Sequence, residues 1–431
     1  MTARVRPGLR PLSERTPVTT AELFFDVVFV FAFIQVTTLV TAEDDALGVI
    51  HGLLVLTLLW WSWSLFAWLG NRVRANYGLS RLVVLAVTPV LFVLAVNIRE
   101  AFDDAPGGVN TALWFVGCFA VVRILYLGLR LYATPGLTGR EIAALTVPVT
   151  VATGLLLAAA LLPETFLPPE RVRLGEVVLW ALAVAVDYGC GMAMPVPERT
   201  IFSARHWAER HNLIIIVALG EVLVSVGLAG SDIPNSPGLL IASALTVVVA
   251  GALEWIYFDL STLAGEHALR QADQKRRVVL ARDGYTYLHL PMIAGIILLA
   301  VGLKHTPALM GDVRGQGRGD PLDDLGRFAM YGGVALFLLA HAAFQRRVSR
   351  AAGMVVWPRI AAAVLLLALL PLTARIAAAQ SLALLAAICL VTAVTEFFVS
   401  RPTRRHLRQA LIEETDGHLP GAETDNGSRS A

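Results

Sequence analysis

The chain has 431 residues, of which 56% are hydrophobic and 16% charged, and its mean hydropathy is +0.66. Soluble chains carry roughly 25% charge, so this one lacks the polar residues to cover a water-facing surface, and a formal net charge of +2 points to no nucleic-acid partner. The apolar residues fall in blocks of about twenty, the length that crosses about 30 Å of hydrocarbon as a helix. The chain therefore reads as an all-α, polytopic transmembrane helix bundle.

In chain order, residues 1–20 are polar and arginine-bearing, without the apolar core and small-residue cleavage site of a signal peptide, and are expected to form a cytoplasmic segment. A transmembrane domain follows over 21–400, with about 12 spans predicted at 22–41, 48–69, 80–98, 110–131, 142–161, 175–194, 210–230, 238–260, 284–304, 327–345, 357–377 and 379–399. The last two are separated only around Arg375 to Ser381, which requires a very tight turn. The loop from Thr306 to Asp320 reads as a flexible excursion and residues 400–414 as a short basic helix at the headgroups. The tail over 401–431 reads as cytoplasmic and largely disordered. Cys118, Cys190 and Cys389 lie in separate apolar blocks with no CxxC or Cys/His cluster. Neither a zinc site nor a disulfide framework is expected, and no cofactor is implied.

Charge alternates from loop to loop. With the N-terminus inside, 26 of the 35 basic residues fall in inner segments and 8 in outer loops, leaving Arg123 alone within a span. The outer loops collect acids at Glu43, Asp44 and Asp45, at Glu100, Asp103 and Asp104, and at Asp320, Asp323 and Asp324. The positive-inside rule then predicts both termini in the cytoplasm.

Two stretches half a molecule apart resemble each other. Ala21-Glu22 leads a helix bearing Gln35 and then Trp60-Trp61-Ser62-Trp63; Ala208-Glu209 leads a helix bearing Glu221 and then Glu254-Trp255. Six spans per half would relate 21–195 to 205–400 as a parallel 6+6 internal repeat about an axis along the membrane normal. Coincidence among similar apolar helices is the competing explanation.

Ionisable groups at membrane depth cost a few kcal/mol each and usually face a bundle interior. Glu22 and Asp26 lie one turn apart on one face of the first span. Glu22 is near enough to the end to complement the helix dipole in water, whereas Asp26 is a turn deeper. Gln35 lies nine residues beyond Asp26, on another face. Glu221 sits near the centre of its span and must be protonated, paired, or facing a wet cavity, and Gly220 beside it would admit a close helix. Arg123 is the matching cation, with Glu221, Asp187 and Asp26 as alternative partners; a buried ion pair that only fixes helix register is the plainer reading. Asp187 and Glu254 add acids at depth. His289, two residues before Pro291, opens the ninth span as a candidate proton relay, and His341 reads the same way. Glu396 is expected to pair with nearby arginines. Trp60, Trp61, Trp63 and Trp68 read as an aromatic belt or as helix packing.

The run from Glu22 to Thr37 (ELFFDVVFVFAFIQVT) resembles the ELFFDLVFVFAFTQV opening of the bacterial low temperature requirement protein A family. Ala208-Glu209-Arg210-His211-Asn212-Leu213 through Glu221 is similar to the family's AERxGLFxIIxLGE block, with Asn212 where glycine is more usual. Trp255 to Asp259, and Tyr287-Leu288-His289-Leu290-Pro291 followed by Gly295, extend the resemblance to at least two-thirds of the chain. It implies a multi-pass protein of the bacterial inner (plasma) membrane and supplies no reaction or substrate.

Three function classes remain. The first is a transporter or channel-like protein acting on protons or a small cation or solute, built on Glu221, Asp26 and Arg123 with Glu22, Gln35, Asp187 and His289 in support. The second is a membrane sensor or structural assembly protein without transport activity. The third, an intramembrane enzyme, has no HExxH, GxSxG, P-loop or Rossmann fingerprint in its favour. The lipid bilayer is the expected partner, and the oligomeric state stays open.

Overall fold

Twelve helices long and apolar enough to cross a membrane make up the computed structural model, which describes residues 6–13, 16–102, 110–193, 201–231, 234, 236–306, 320–348, 353–402, 405 and 409. They are α1 (Thr20–Glu43), α2 (Ala46–Gly70), α3 (Gly78–Val96), α4 (Thr111–Ala133), α5 (Gly139–Leu161) and α6 (Pro169–Ala193), then α7 (Ala204–Ser231), α8 (Pro237–Phe258), α9 (Gln274–Lys304), α10 (Asp324–Val348), α11 (Gly353–Thr373) and α12 (Ala378–Val399). A single turn, Pro163–Phe166, precedes α6, and a helix Ser261–Gln271 follows α8. Twelve crossings return the chain to the face it started from, called the near face below. The expected excursion over 306–320 lies outside the described residues except at its two ends, and so does most of the expected tail.

Local chemistry sets the ends of the helices. Thr19 caps α1 in a capping box, its N–H and hydroxyl donating to Glu22 Oε2 at 2.9 and 2.8 Å, which satisfies donors that the first turn otherwise leaves orphaned. Asp44 takes a left-handed conformation and Asp45 caps α2 through Gly48 N–H at 2.7 Å, so two residues suffice to turn the chain. Ser236 with Pro237 starts α8 by the same logic. The tight turn expected between the last two spans is found: Arg375 N–H bonds Leu372 O at 2.9 Å, and α12 begins at Ala378.

Several boundaries differ from the sequence expectation. α7 begins six residues before 210, which carries His206 and Arg210 into the helix; both are buried. α11 begins at Gly353 and takes Arg359 into the bundle, so Arg123 is not alone within a span. α9 begins at Gln274 rather than 284, and His289 therefore lies mid-helix instead of opening it. Buried acids satisfy the polar residues of α7 and α11: Glu22 and Asp26 take His206 and Arg210, and Glu396 takes Arg359.

α9 contains a π-helical segment, Ala281–Tyr287, four residues before Pro291. Proline has no N–H to bond the carbonyl one turn back and its ring crowds that carbonyl, so the ladder is rearranged here. The rearranged segment uses side chains instead: Trp60 Nε1 donates to Thr286 O at 2.7 Å and His289 Nδ1 to Gly284 O at 3.1 Å. Further along, α9 and α10 meet through glycines, with Gly295 against Gly333 O and Gly302 against Met330.

The helix neighbours of the first half recur six helices on. α1 packs on α2 and α3, α2 on α6, α3 on α4, α4 on α5 and α5 on α6; α7 packs on α8 and α9, α8 on α12, α9 on α10, α10 on α11 and α11 on α12. α1 also packs on α7, joining the halves. The exterior is apolar, with Leu82 and Ile124 each more than 60% exposed, while Glu221 and His289 are fully buried. That inversion suits a lipid surround.

Candidate functional site

α1 and α7 run parallel and in register, and their seam carries three of the polar groups singled out in the sequence, Glu22, Asp26 and Glu221. Glu22 meets His206, Asp26 meets Arg210, and Thr37 meets Glu221; each pair is separated by 184 positions. The intervals along α1, 4 and 11 residues, both return to one face of a 3.6-residue helix.

At the near face, His206 Nε2 donates to Glu22 at 3.0 Å, and its Nδ1 lies 3.3 Å from the amide nitrogen of Asn71, which also donates to Ser203 O. A carboxylate only accepts, so Nε2 carries the proton. Gly70 makes room for this pair: a Cβ there would stand 2.5 Å from Glu22 Oε1. One turn deeper, Asp26 Oδ1 accepts from Trp63 Nε1 at 2.8 Å and from Arg210 Nη2 at 2.9 Å, with the guanidinium 5.2 Å from the Trp63 ring. Asp26 Oδ2 and Arg210 Nε and Nη1 are buried with no hydrogen-bond partner.

The far cluster centres on Glu221. Its Oε1 accepts from Thr37 Oγ1 at 2.8 Å and Ser225 Oγ at 2.5 Å. Lys304, the last residue of α9, donates to Thr37 Oγ1 at 2.5 Å and stands 3.9 Å from the same carboxylate oxygen. Oε2 is buried without a hydrogen-bond partner. Eleven residues of helix separate this cluster from Asp26, about 16 Å at 1.5 Å per residue. Buried Phe29, Phe33, Ile214 and Ala218 lie within that interval of the two helices.

The other expected residues go elsewhere. Of the three alternatives for Arg123, the partner is Asp187, in a buried ion pair joining α4 to α6, so Asp26, Arg123 and Glu221 occupy three networks. Gln35 is half-buried, off the shared face. His289 accepts at Nε2 from Tyr257 Oη at 2.8 Å and belongs to a buried aromatic group with His211, Tyr285 and Phe344. Glu254 is exposed on α8 and is not at the interior. Glu396 does pair with an arginine: Arg359 binds both its oxygens, at 2.6 and 2.8 Å. The tryptophans form packing and hydrogen bonds at the interior rather than a belt, and a Cβ at Gly220 would meet no neighbouring helix within 4 Å.

Sequence reading missed His206, Arg210, Thr37 and Lys304. One signal was present: the 206/210 spacing of two bases repeats the 22/26 spacing of two acids. Among the described residues, Asp44, His305 and Asp323 offer ligand-type atoms within 4.8 Å of one another at the far face. Asp323 Oδ1 also caps α10 through Gly326 N–H at 2.9 Å, so this group has a structural role.

Comparison with known proteins gives a consistent but silent background. The sequence profile of bacterial low temperature requirement A proteins matches residues 17–394. An uncharacterized protein of Rhizobium meliloti (strain 1021) is 28% identical over 303 residues, covering 67% of this chain and 69% of its own length. No solved structure matches.

Proposed function

The chain belongs to the bacterial low temperature requirement A family, and we propose that it is a membrane transport protein that binds a proton or small cation at Glu221. The unfilled carboxylate carries this reading. Glu221 is fully buried, uses one oxygen for Thr37 and Ser225, and leaves the other without a hydrogen bond. A buried charged oxygen is costly unless a proton or cation completes it. Lys304, tethered at the end of α9, supplies a resident cation that a bound one would displace.

The apolar stretch between the two clusters supports the same reading. Charge seated at Glu221 reaches the Asp26 level only if the α1–α7 seam rearranges, which is what alternating access between two halves requires. The recurrence of helix neighbours supports a parallel two-half arrangement with α1 and α7 as counterparts. The arginine excess supports a cytoplasmic near face, and thus N-in, C-in.

A structural reading has one observation in its favour: Arg210 and Arg123 already have acids, as pairs that only fix register would. Reconstitution separates the two. Purified protein is placed in liposomes holding dyes for protons, sodium or potassium, and each gradient is imposed in turn. Flux above that of protein-free liposomes, lost in Glu221→Gln, is expected. Flux no greater than in protein-free liposomes for all three ions overturns the transport reading.

A further inference from the structure

A second site lies away from the α1–α7 seam. On the near-face side, α2, α4, α5, α6 and the π-helical part of α9 enclose a cavity of about 740 Å³, within the 300–1,000 Å³ range of ligand pockets. Its lining is divided. Arg130 at the end of α4, Arg140 at the start of α5 and Arg282 on α9 stand at the near-face end; Trp61, Leu65 and Pro148 line the part toward the bundle centre. From Arg140 to Pro148 is eight residues of helix, about 12 Å, close to the depth of one leaflet's hydrocarbon, about 15 Å. The wall along α5 is open to the outside, where Val147 is 54% exposed.

The charge at the mouth is unbalanced. Among the described residues neither Arg130 nor Arg140 has an acidic partner, and Glu141 is held as the capping-box acid by Thr138 N–H and hydroxyl at 2.7 Å each. Arg282 shares Asp283 with Arg347, at 2.8 and 3.0 Å. Arg72, in the connection after α2, is pushed down to about 10 by burial and by Arg130 nearby. Several guanidinium groups thus crowd one mouth with too few anions to answer them.

We propose that this cavity holds one phospholipid with an anionic headgroup, its phosphate on Arg130, Arg140 and Arg282 and an acyl chain running between Leu65 and Pro148. Guanidinium groups bind phosphate through paired N–H donors, and an apolar slot one leaflet deep opening sideways admits a chain from the bilayer. The site is independent of the transport reading at Glu221. Its floor includes Thr286, whose carbonyl and hydroxyl take Trp60 and Trp68, so the occupant would rest on the rearranged part of α9.

Quenching of tryptophan emission by brominated lipid tests this, because Trp61 and Trp68 line the cavity. The full chain is reconstituted in phosphatidylcholine containing equal fractions of brominated phosphatidylglycerol or brominated phosphatidylcholine. Exterior tryptophans respond alike to both, so an additional, saturable quenching by phosphatidylglycerol is expected. It should fall at least severalfold in Arg130→Gln/Arg140→Gln and in Ala144→Phe, which fills the cavity from an exposed position on α5. Equal quenching by the two lipids in the wild type overturns the proposal, as does additional quenching that survives both variants. If brominated stearate produces the additional quenching and phosphatidylglycerol does not, the occupant is a free anionic amphiphile and the proposal also falls.

Discussion

Thr37 of α1 gives its hydroxyl to Glu221 of α7 at 2.8 Å, and the 184 positions between them equal the separation of Glu22 from His206 and of Asp26 from Arg210. Only parallel helices in constant register produce such equality. Thr37 is also the partner of Lys304 at 2.5 Å, so it links the acid to its nearest cation. Thr37→Val should leave both groups short of a buried partner, costing about 1–3 kcal/mol, seen as a lower Tm in detergent. The double variant with Glu221→Gln should cost less than the two singles added together.

The Asp26–Arg210 pair makes a sharper cycle. Removing one partner strands a buried charge, so Asp26→Asn or Arg210→Gln should each cost about 3–5 kcal/mol. The double variant should recover a substantial part of that loss. Strict additivity in thermal unfolding would mean the two side chains do not interact.

The π-helical part of α9 depends on one indole. Trp60→Phe keeps the packing but removes the donor to Thr286 O, leaving a buried carbonyl without that partner. A loss of about 1–3 kcal/mol is expected, together with faster hydrogen exchange in α9 measured by mass spectrometry. Unchanged exchange would show that the segment holds itself.

Glycine positions should divide cleanly. A Cβ at Gly333 would stand 2.6 Å from Gly295 O and 2.8 Å from Leu299 N, against backbone that has nowhere to go, so Gly333→Ala should destabilise by about 1–3 kcal/mol. A Cβ at Gly220 would meet nothing within 4 Å, and Gly220→Ala should be neutral or stabilising by up to about 1 kcal/mol from helix propensity. Parallel melting curves decide both.

Two acids that look alike in sequence should behave differently. Glu254 is exposed and Glu254→Gln should change stability by less than about 0.5 kcal/mol. Glu396 is buried against Arg359, itself fully buried, and Glu396→Gln should cost about 3 kcal/mol or more. Equal effects in a denaturation series would contradict this arrangement.

The sequence by itself determined the crossings: twelve apolar blocks, the tight turn between the last two, and the presence of Glu22, Asp26, Arg123 and Glu221 where lipid forbids unpaired charge. Transfer into hydrocarbon acts residue by residue, so block length reports it directly. The start of α7 was less legible, because His206 continues the helix and its burial depends on Glu22 of a distant helix. The tertiary structure alone decided that Arg123 takes Asp187, that Asp26 takes Arg210, and that Glu221 keeps Thr37 and Lys304. Those choices follow from which helix faces meet, a contact between residues up to 267 positions apart, and no local pattern of apolar and polar residues encodes it.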